Sequence, residues 1–304
     1  MSRIAITGGT GFVGGHLAGR LRQDGHEVIV IGRRAGIDVT DTSALARAFV
    51  GCEAVVHCAG INREIGNQTY RRVHVDGTEA VVQAAATAGV SRLVILSFLR
   101  ARPDGPTTYH RSKWAAEEMV RNSGLSWTVI KAGVIYGRGD HLIDHVSRAL
   151  QTVPVFGLVG LRATPVRPVA VNDVTRLLAA AALGDARLAR RTVAVLGPDE
   201  FSLEEAVRRI GRTVGRRPRF VTLPVLMHRW LARLWETTMR VPLLSRAQVE
   251  ILAEGVVQPL PAADEPPDDL RPTTPFSEAT VRAGLPAPGG FGLADLRCRA
   301  SAAD

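Results

Sequence analysis

Short apolar runs and amphipathic stretches alternate along the first two hundred residues. The apolar runs are residues 3–7 (RIAIT), 27–32 (EVIVIG), 53–60 (EAVVHCAG), 92–97 (RLVILS), 127–133 (WTVIKAG) and 192–197 (TVAVLG). They are nearly continuous rather than alternating, as in strands of a parallel sheet covered by helices on both faces. Between them, apolar positions recur at helical spacing over residues 12–22, 43–50, 70–88, 109–122 and 141–150. This order predicts an α/β fold with a doubly wound parallel sheet. One link is short: only RRAG separates the second run from IDVTD (37–41), too little for a crossover helix at that point.

The pattern changes after about residue 198. Helical periodicity covers residues 202–214, 224–240 and 245–254, followed by a proline-rich, acidic stretch, QPLPAADEPPDDLRPTTPF (258–276). Such a stretch reads as a surface loop or lid. The expected organisation is a nucleotide-binding domain over residues 1–180 and a smaller, mostly helical substrate-binding or lid region over 181–304. Within the latter, VLMHRWLARLWETTM (225–239) gathers Leu226, Trp230, Leu231, Leu234 and Trp235 on one broad apolar face, with His228, Arg229 and Arg233 elsewhere. A basic amphipathic helix of this kind can lie on a membrane surface or bind a partner. The commoner use is core or the wall of an apolar pocket, and that is the role expected of this face.

Composition narrows the classes. The chain has 304 residues, 46% of them hydrophobic and 22% charged, as in ordinary globular proteins. No apolar run reaches the length of a membrane span, and the first residues lack the basic and apolar regions of a signal peptide. Cys52, Cys58 and Cys298 show neither pairing nor metal-ligand spacing, so a reducing cytoplasm and no metal are expected. The net charge of +9 raises the question of an anionic partner, and arginines are densest between residues 208 and 219. That stretch has one aromatic at its end and no helix-turn-helix or zinc-finger spacing, so no nucleic-acid partner is expected.

The loop TGGTGFVGGH (7–16) follows the first strand and opens the first helix. It fits both Gly9-x-Gly11-x-x-Gly14 and Gly8-x-x-Gly11-x-x-Gly14. Glycines allow the tight turn and close backbone approach that a pyrophosphate on a helix N-terminus requires. Where an acidic residue would grip the ribose diol of NAD, this chain has Gly32 followed by Arg33 and Arg34. Arginine there pairs with a 2′-phosphate, which favours NADP, with NAD the alternative.

Only two of the 38 basic residues are lysines, and one of them, Lys113, stands four residues after Tyr109. On a helix the two share a face. A phenol is a poor base at neutral pH, and a neighbouring ammonium favours the phenolate and lowers its pKa. Ser97 ends the fourth strand at the C-terminal edge of the sheet, where its hydroxyl could bond a substrate oxygen. His57, His110 and His141 are read as structural, and Asp173 as the N-cap of a helix starting near residue 174.

Together, TGGTGFVG (7–14), IDVTD (37–41), HCAG (57–60), VHVDGTEAVVQAA (73–85), the Ser97/Tyr109/Lys113 set, WTVIKAGVIYGRGD (127–140) and RPVAVNDV (167–174) resemble the short-chain dehydrogenase/reductase superfamily over roughly the first 180 residues. The likeness is greatest to the extended, NAD-dependent epimerase/dehydratase-like branch. Residues 242–259 (PLLSRAQVEILAEGVVQP) are further similar to the group related to the 39 kDa accessory subunit of respiratory complex I. The resemblance implies a Rossmann fold and a nicotinamide cofactor held by Gly8, Thr10, Gly11, Phe12, Val13, Gly14 and Arg33. Asp38 and Val39 would hold the adenine, Ala59 and Gly60 would line the cofactor, and Ala132, Gly133 and Val134 would pass the nicotinamide. Tyr109 would be the general acid/base, Lys113 would bridge it and the ribose, and Ser97 would orient the substrate oxygen. The chain departs from the family pattern at three places: His74 where asparagine is common, Cys58 where a small residue is, and Lys131 where arginine is. Implied activities are hydride transfer on a carbonyl or alcohol of a small molecule, epimerisation or dehydration through a keto intermediate, or a nucleotide-binding scaffold without turnover. The family also allows a homodimer joined by a helix pair.

Overall fold

Every apolar run named above forms a strand in the computed structural model, which describes residues 1–153, 155–159, 164–238 and 246–291. The strands β1 (Arg3–Thr7), β2 (Glu27–Ile31), β3 (Ala54–His57), β4 (Arg92–Phe98), β5 (Ser126–Ala132) and β6 (Arg191–Val195) form one sheet in the order β6-β5-β4-β3-β1-β2. All five pairings are parallel. The chain leaves β1 for one edge and returns to add β3 on its other side, so the order reverses at β1, where ligands bind in such sheets. This is the expected Rossmann-type fold.

Burial on both faces explains the unbroken apolar runs. Along β1, Ile4 and Ile6 join one core with Leu17 and Leu21 of α1 (Phe12–Gln23) and Leu177 and Leu178 of a helix at Val171–Ala182. Ala5 points into a second core, with Leu45 and Phe49 of α2 (Thr42–Phe49), Val81 of α3 (Gly77–Thr87) and Val120 of α4 (Thr108–Arg121). Period-two side chains thus alternate between two dry layers.

The chain forms two compact units. The first contains the six-stranded sheet and consists of Met1–Ile135, Pro168–Pro198 and Gln258–Thr274. Several local expectations change within it. IDVTD is a loop, with the crossover helix α2 following it: Asp38 accepts from the Thr40 N–H at 3.0 Å, and Asp41 caps α2 through the Ala44 N–H at 2.9 Å. The expected helix over residues 70–88 opens with a wider π turn at Arg71–Asp76 before α3 begins. Asp173 is no N-cap. It lies in the first turn of the Val171–Ala182 helix, buried, paired with Arg176 at 2.9 Å and accepting from the Thr274 N–H at 3.0 Å.

Residues 258–274 are a strap laid on the first unit rather than a lid. Asp264 pairs with the edge strand β6 by donating to Thr192 O at 2.8 Å and accepting from the Ala194 N–H at 2.9 Å. Prolines prevent a full ladder, so an isolated bridge covers the edge. Leu270 of the strap is buried in the sheet's core.

The second unit comprises the described parts of Tyr136–Arg167, Asp199–Val257 and Pro275–Asp304. Its helices are His141–Thr152, Leu203–Thr213, Val225–Thr238, Arg246–Glu254 and Glu278–Gly284, with a two-stranded parallel sheet of Val155–Val159 and Arg219–Leu223. Tyr136 is fully buried against Phe276 and donates its hydroxyl to Pro275 O at 2.8 Å. The Val225–Thr238 helix does not bury the face expected of it. Leu226, Trp230 and Leu234 are exposed, while His228 and Ala232 face inward. Residues 239–240 and 245 of the expected helices, residues 242–244 and Cys298 lie outside the described residues.

Candidate active site

The glycine loop sits between β1 and α1, at the point where the sheet order reverses. Gly8 has φ of +68°, and a Cβ there would lie 2.6 Å from the Ala59 backbone nitrogen. At Gly14 a Cβ would lie 2.4 Å from Gly8 O. A Cβ on Gly9 would lie 2.9 Å from Ile6 O, so the packing requires glycine at positions 8, 9 and 14 and is compatible with both templates. Gly11 is the N-cap of α1 and offers no side-chain bond, and the first turn has no acidic residue. The N-terminus, with Phe12 and Val13 at its start, thus keeps backbone donors and a positive dipole end for an anion. These residues fit a dinucleotide pyrophosphate.

At the end of β2, a Cβ on Gly32 would lie 2.8 Å from Thr10 Oγ1, so the loop closes onto the position where an acid was absent. Arg33 follows in a 3-10 turn with its side chain exposed. Asp38 is held by Thr40 and lies 3.5 Å from Arg72. Burial alone would raise its carboxyl, but the Thr40 hydrogen bonds and the Arg72 guanidinium outweigh it and hold the pKa below the usual carboxylate value. Val39 packs where a Cβ on Gly77 would lie 2.8 Å from its Cγ1, fixing the start of α3 beneath that loop. Ala132 ends β5 with its carbonyl bonded to the Leu99 N–H, and Val134 O accepts from the Val169 N–H, with Gly133 between them.

Tyr109 and Lys113 lie one turn apart on α4, which Thr107 caps. Tyr109 is 7% exposed. Its ring packs edge-on against Phe98 at 5.2 Å, Tyr70 at 5.5 Å and His74 at 5.7 Å between centroids. Burial, with the Tyr70 phenol adding to it, pushes the Tyr109 hydroxyl well above the usual phenol range. That is opposite to the direction expected from a lysine alone. Lys113 is half-buried, donates to Leu96 O at 3.3 Å, and lies so near Gly60 that a Cβ there would be 3.1 Å from its Nζ. Burial pulls its ammonium down to about 8, with the nearby Glu117 charge opposing.

The histidines beneath these groups are neutral structural members. His74 Nε2 accepts from the Ile61 N–H at 3.1 Å, so its Nδ1 carries the proton and donates to Ser112 Oγ at 2.9 Å. Thr78 gives its hydroxyl proton to His74 O, which leaves His57 Nε2 to donate to Thr78 and His57 Nδ1 to accept from Thr7 at 2.6 Å. Burial, with the Lys113 charge adding to it, pulls His57 down to about 3 and His74 well below its usual value. The residue in the usual asparagine position therefore spends both ring nitrogens on the protein. His110 is fully buried, with Nδ1 2.7 Å from Thr107 Oγ1.

Ser97 is not joined to Tyr109. It is buried, and its hydroxyl donates to Glu117 Oε1 at 2.5 Å. Glu117 is fully buried and also accepts from Lys131 at 3.2 Å and Arg121 at 2.6 Å. Lys131, 1% exposed, spends a further donor on Ala101 O at 2.9 Å. Sequence reading missed Glu117, although a signal was present. Tyr109, Lys113, Glu117 and Arg121 follow one another at four-residue spacing down one face of α4.

A nucleotide cradle beside a helical tyrosine–lysine pair is an arrangement that known families can be compared with directly. The model of the NAD dependent epimerase/dehydratase family matches residues 4–195. A ceramide reductase of Caulobacter vibrioides is 29% identical over 79% of this chain and 80% of that protein. The mitochondrial NADH dehydrogenase [ubiquinone] 1 alpha subcomplex subunit 9 of Mus musculus is 26% identical over 84% of this chain and 72% of its own. The solved structure of MoeE5 in complex with UDP-glucose and NAD superposes with a TM-score of 0.66 at 19% identity, covering 93% of this chain and 97% of that one. At that identity the likeness speaks for the fold alone. The family match begins in β1 and ends with β6, so it takes in the whole central sheet, the glycine loop and α4. The chain belongs to the NAD dependent epimerase/dehydratase family.

Proposed function

We propose that this protein is a nicotinamide-dependent reductase of a carbonyl compound, with Tyr109 as proton donor. The observation that carries the reading is the placement of Tyr109 and Lys113 on one face of α4, with Lys113 against Gly60 and the Gly8–Ala59 contact anchoring the glycine loop beside them. The backbone at Gly8, Thr10, Gly11, Phe12, Val13 and Gly14 would hold the pyrophosphate, with Asp38 and Val39 at the adenine. Ala59, Gly60, Ala132, Gly133 and Val134 would line the rest. A bound reduced nicotinamide supplies the hydride. Tyr109 gives its phenolic proton to the carbonyl oxygen, and the alcohol forms. Tyr109 carries its proton at neutral pH, as a donor in the reductive direction requires, and the burial that raises its pKa must be offset when the phenolate forms. The Lys113 ammonium then offsets the phenolate left behind. The likeness to a protein named ceramide reductase supports reduction over epimerisation. Ser97, committed to Glu117, is assigned a positioning role, and the substrate-oxygen role drawn for it from sequence is withdrawn. NADPH oxidation over a panel of aldehydes and ketones, long-chain ones included, tests the reading. No oxidation with any of them contradicts it.

NADP(H) is the cofactor we assign, because Gly32 and the exposed Arg33 stand where an acid would serve NAD. A charge-assisted pairing of this kind is worth about 10- to 100-fold in affinity. Arg33→Glu is therefore expected to weaken NADPH binding by that factor and leave NADH binding nearly unchanged, as read by calorimetric titration. Equal losses for both would return the choice to NAD.

Lys113 gives the pH dependence. With its pKa near 8 in the folded protein, it loses charge as pH rises through that value. Cofactor affinity is expected to be level below about pH 7 and to fall above 8, and Lys113→Met to flatten the profile. Its effect on stability has the opposite sign. Between 8 and the ordinary lysine value of 10.5 the unfolded chain binds the extra proton, so this group favours folding increasingly as pH rises.

A further inference from the structure

We propose that the second unit docks on an anionic lipid surface through the exposed face of the Val225–Thr238 helix. The helix buries His228 and Ala232, the latter against Val249 of the Arg246–Glu254 helix. Its opposite arc carries Leu226, 66% exposed, Trp230 at 75%, Leu234 at 55% and Met227 at 48%. At 100° per residue these four fall within about a quarter-turn to a third of the circumference, a continuous apolar stripe. Large apolar side chains gathered so openly mark an interaction site rather than ordinary surface.

Charge selects the occupant. Residues 206–224 contain six arginines and no aspartate or glutamate, and the helix itself adds Arg229 and Arg233 against one acid, Glu236, near its end. Arg229 is paired with Glu250 at 2.6 Å, and Arg208 and Arg209 with Glu204 and Glu205. Arg216, Arg217 and Arg219 are exposed in the segment that leads into the helix, and Arg233 is exposed on the flank of the apolar stripe. An apolar stripe containing an exposed tryptophan, bordered by arginine, is the pattern of a helix lying in the plane of a bilayer interface. Tryptophan favours the headgroup level, with its ring in the acyl boundary and its N–H toward water. A second copy of this chain fits less well, because two-fold pairing of the stripe would set one arginine-rich segment against another. No helix among the described residues is long and apolar enough to cross a membrane, so attachment is peripheral. The docking surface lies in the second unit alone and does not depend on the reductase activity.

The test is co-sedimentation of the full chain with phosphatidylcholine vesicles and with phosphatidylcholine–phosphatidylglycerol vesicles. The protein is expected to bind the anionic vesicles, to bind the neutral ones much more weakly, and to be released by salt. The double variant Leu226→Ser with Trp230→Ser is expected to lose binding about tenfold or more. Each charge reversal at Arg217 or Arg233 is expected to cost at least roughly fivefold. Both changed apolar side chains are exposed, so thermal unfolding of the double variant should match the unmodified protein, and that comparison guards against misfolding. Absence of binding to anionic vesicles at low salt overturns the proposal, as does unchanged binding by the double variant. Self-association that the double variant abolishes, without vesicle binding, overturns it in favour of a second copy.

Discussion

Tyr109→Phe is expected to lower turnover about 10²- to 10⁴-fold while leaving cofactor affinity within a factor of two or so. The substitution deletes one oxygen and keeps the ring, so the edge contacts with Phe98, Tyr70 and His74 survive. The phenolic oxygen is the group assigned to donate the proton, and buried Phe98 and neutral His74 offer no replacement. A stability gain or loss should be small, because the substitution keeps the buried ring and leaves the network around Glu117 intact. The measurement is the rate of NADPH oxidation with an accepted carbonyl, beside a binding titration. Equal loss of binding and turnover would make Tyr109 a structural residue, and retained turnover would remove it from the mechanism. A chain that binds cofactor and turns over nothing, with or without Tyr109, would favour a nucleotide-binding subunit.

The second large effect concerns stability. Glu117→Ala removes the carboxylate that accepts from Lys131, Arg121 and Ser97 at once. Lys131 is 1% exposed and cannot turn its charge to water. Breaking one partner from a buried pair costs about 3–5 kcal/mol. For a chain of this size that lowers the melting temperature by roughly 5–8 °C. Burial already pulls the Lys131 ammonium down, and Glu117 is the chief influence opposing it. Removing Glu117 therefore drives Lys131 further toward the neutral form. Replacing both, with Glu117→Leu and Lys131→Met, should recover much of the loss, since an apolar pair of similar volume is often no less stable. A Glu117→Ala protein that melts like the unmodified one would show that the cluster contributes little.

The sheet was legible because burial on both faces writes an unambiguous pattern. Each run from RIAIT to TVAVLG is nearly continuous in apolar residues, and no amphipathic helix reads that way over so few residues. The glycine loop was legible for a steric reason, since a Cβ at Gly8 or Gly14 would collide with backbone. Ser97 was misjudged because strand position tells which edge a residue ends on but not which buried partner takes its hydroxyl. One residue later, Phe98 faces Tyr109, while Ser97 faces Glu117. Glu117 itself was hidden by a general expectation that glutamate on a helix is solvated. Its partners Ser97 and Lys131 come from two different strands, and only the sheet brings them together. The strap at 258–274 carried a loop's composition, and its pairing with β6 depends on backbone groups that no side-chain pattern reports. The apolar arc of the Val225–Thr238 helix failed in the other direction. Its periodicity was read correctly, but periodicity cannot tell a face turned to the core from one turned outward.

A nicotinamide dinucleotide held by the glycine loop is central to the proposed function, and thermal unfolding in the presence of NAD, NADH, NADP and NADPH tests it most directly. A ligand at 100 times its dissociation constant stabilises the folded state by about 2.7 kcal/mol, enough to move the transition by several degrees. The predicted result is a rise with NADP and NADPH that exceeds the rise with NAD and NADH. No shift with any of the four would contradict the account.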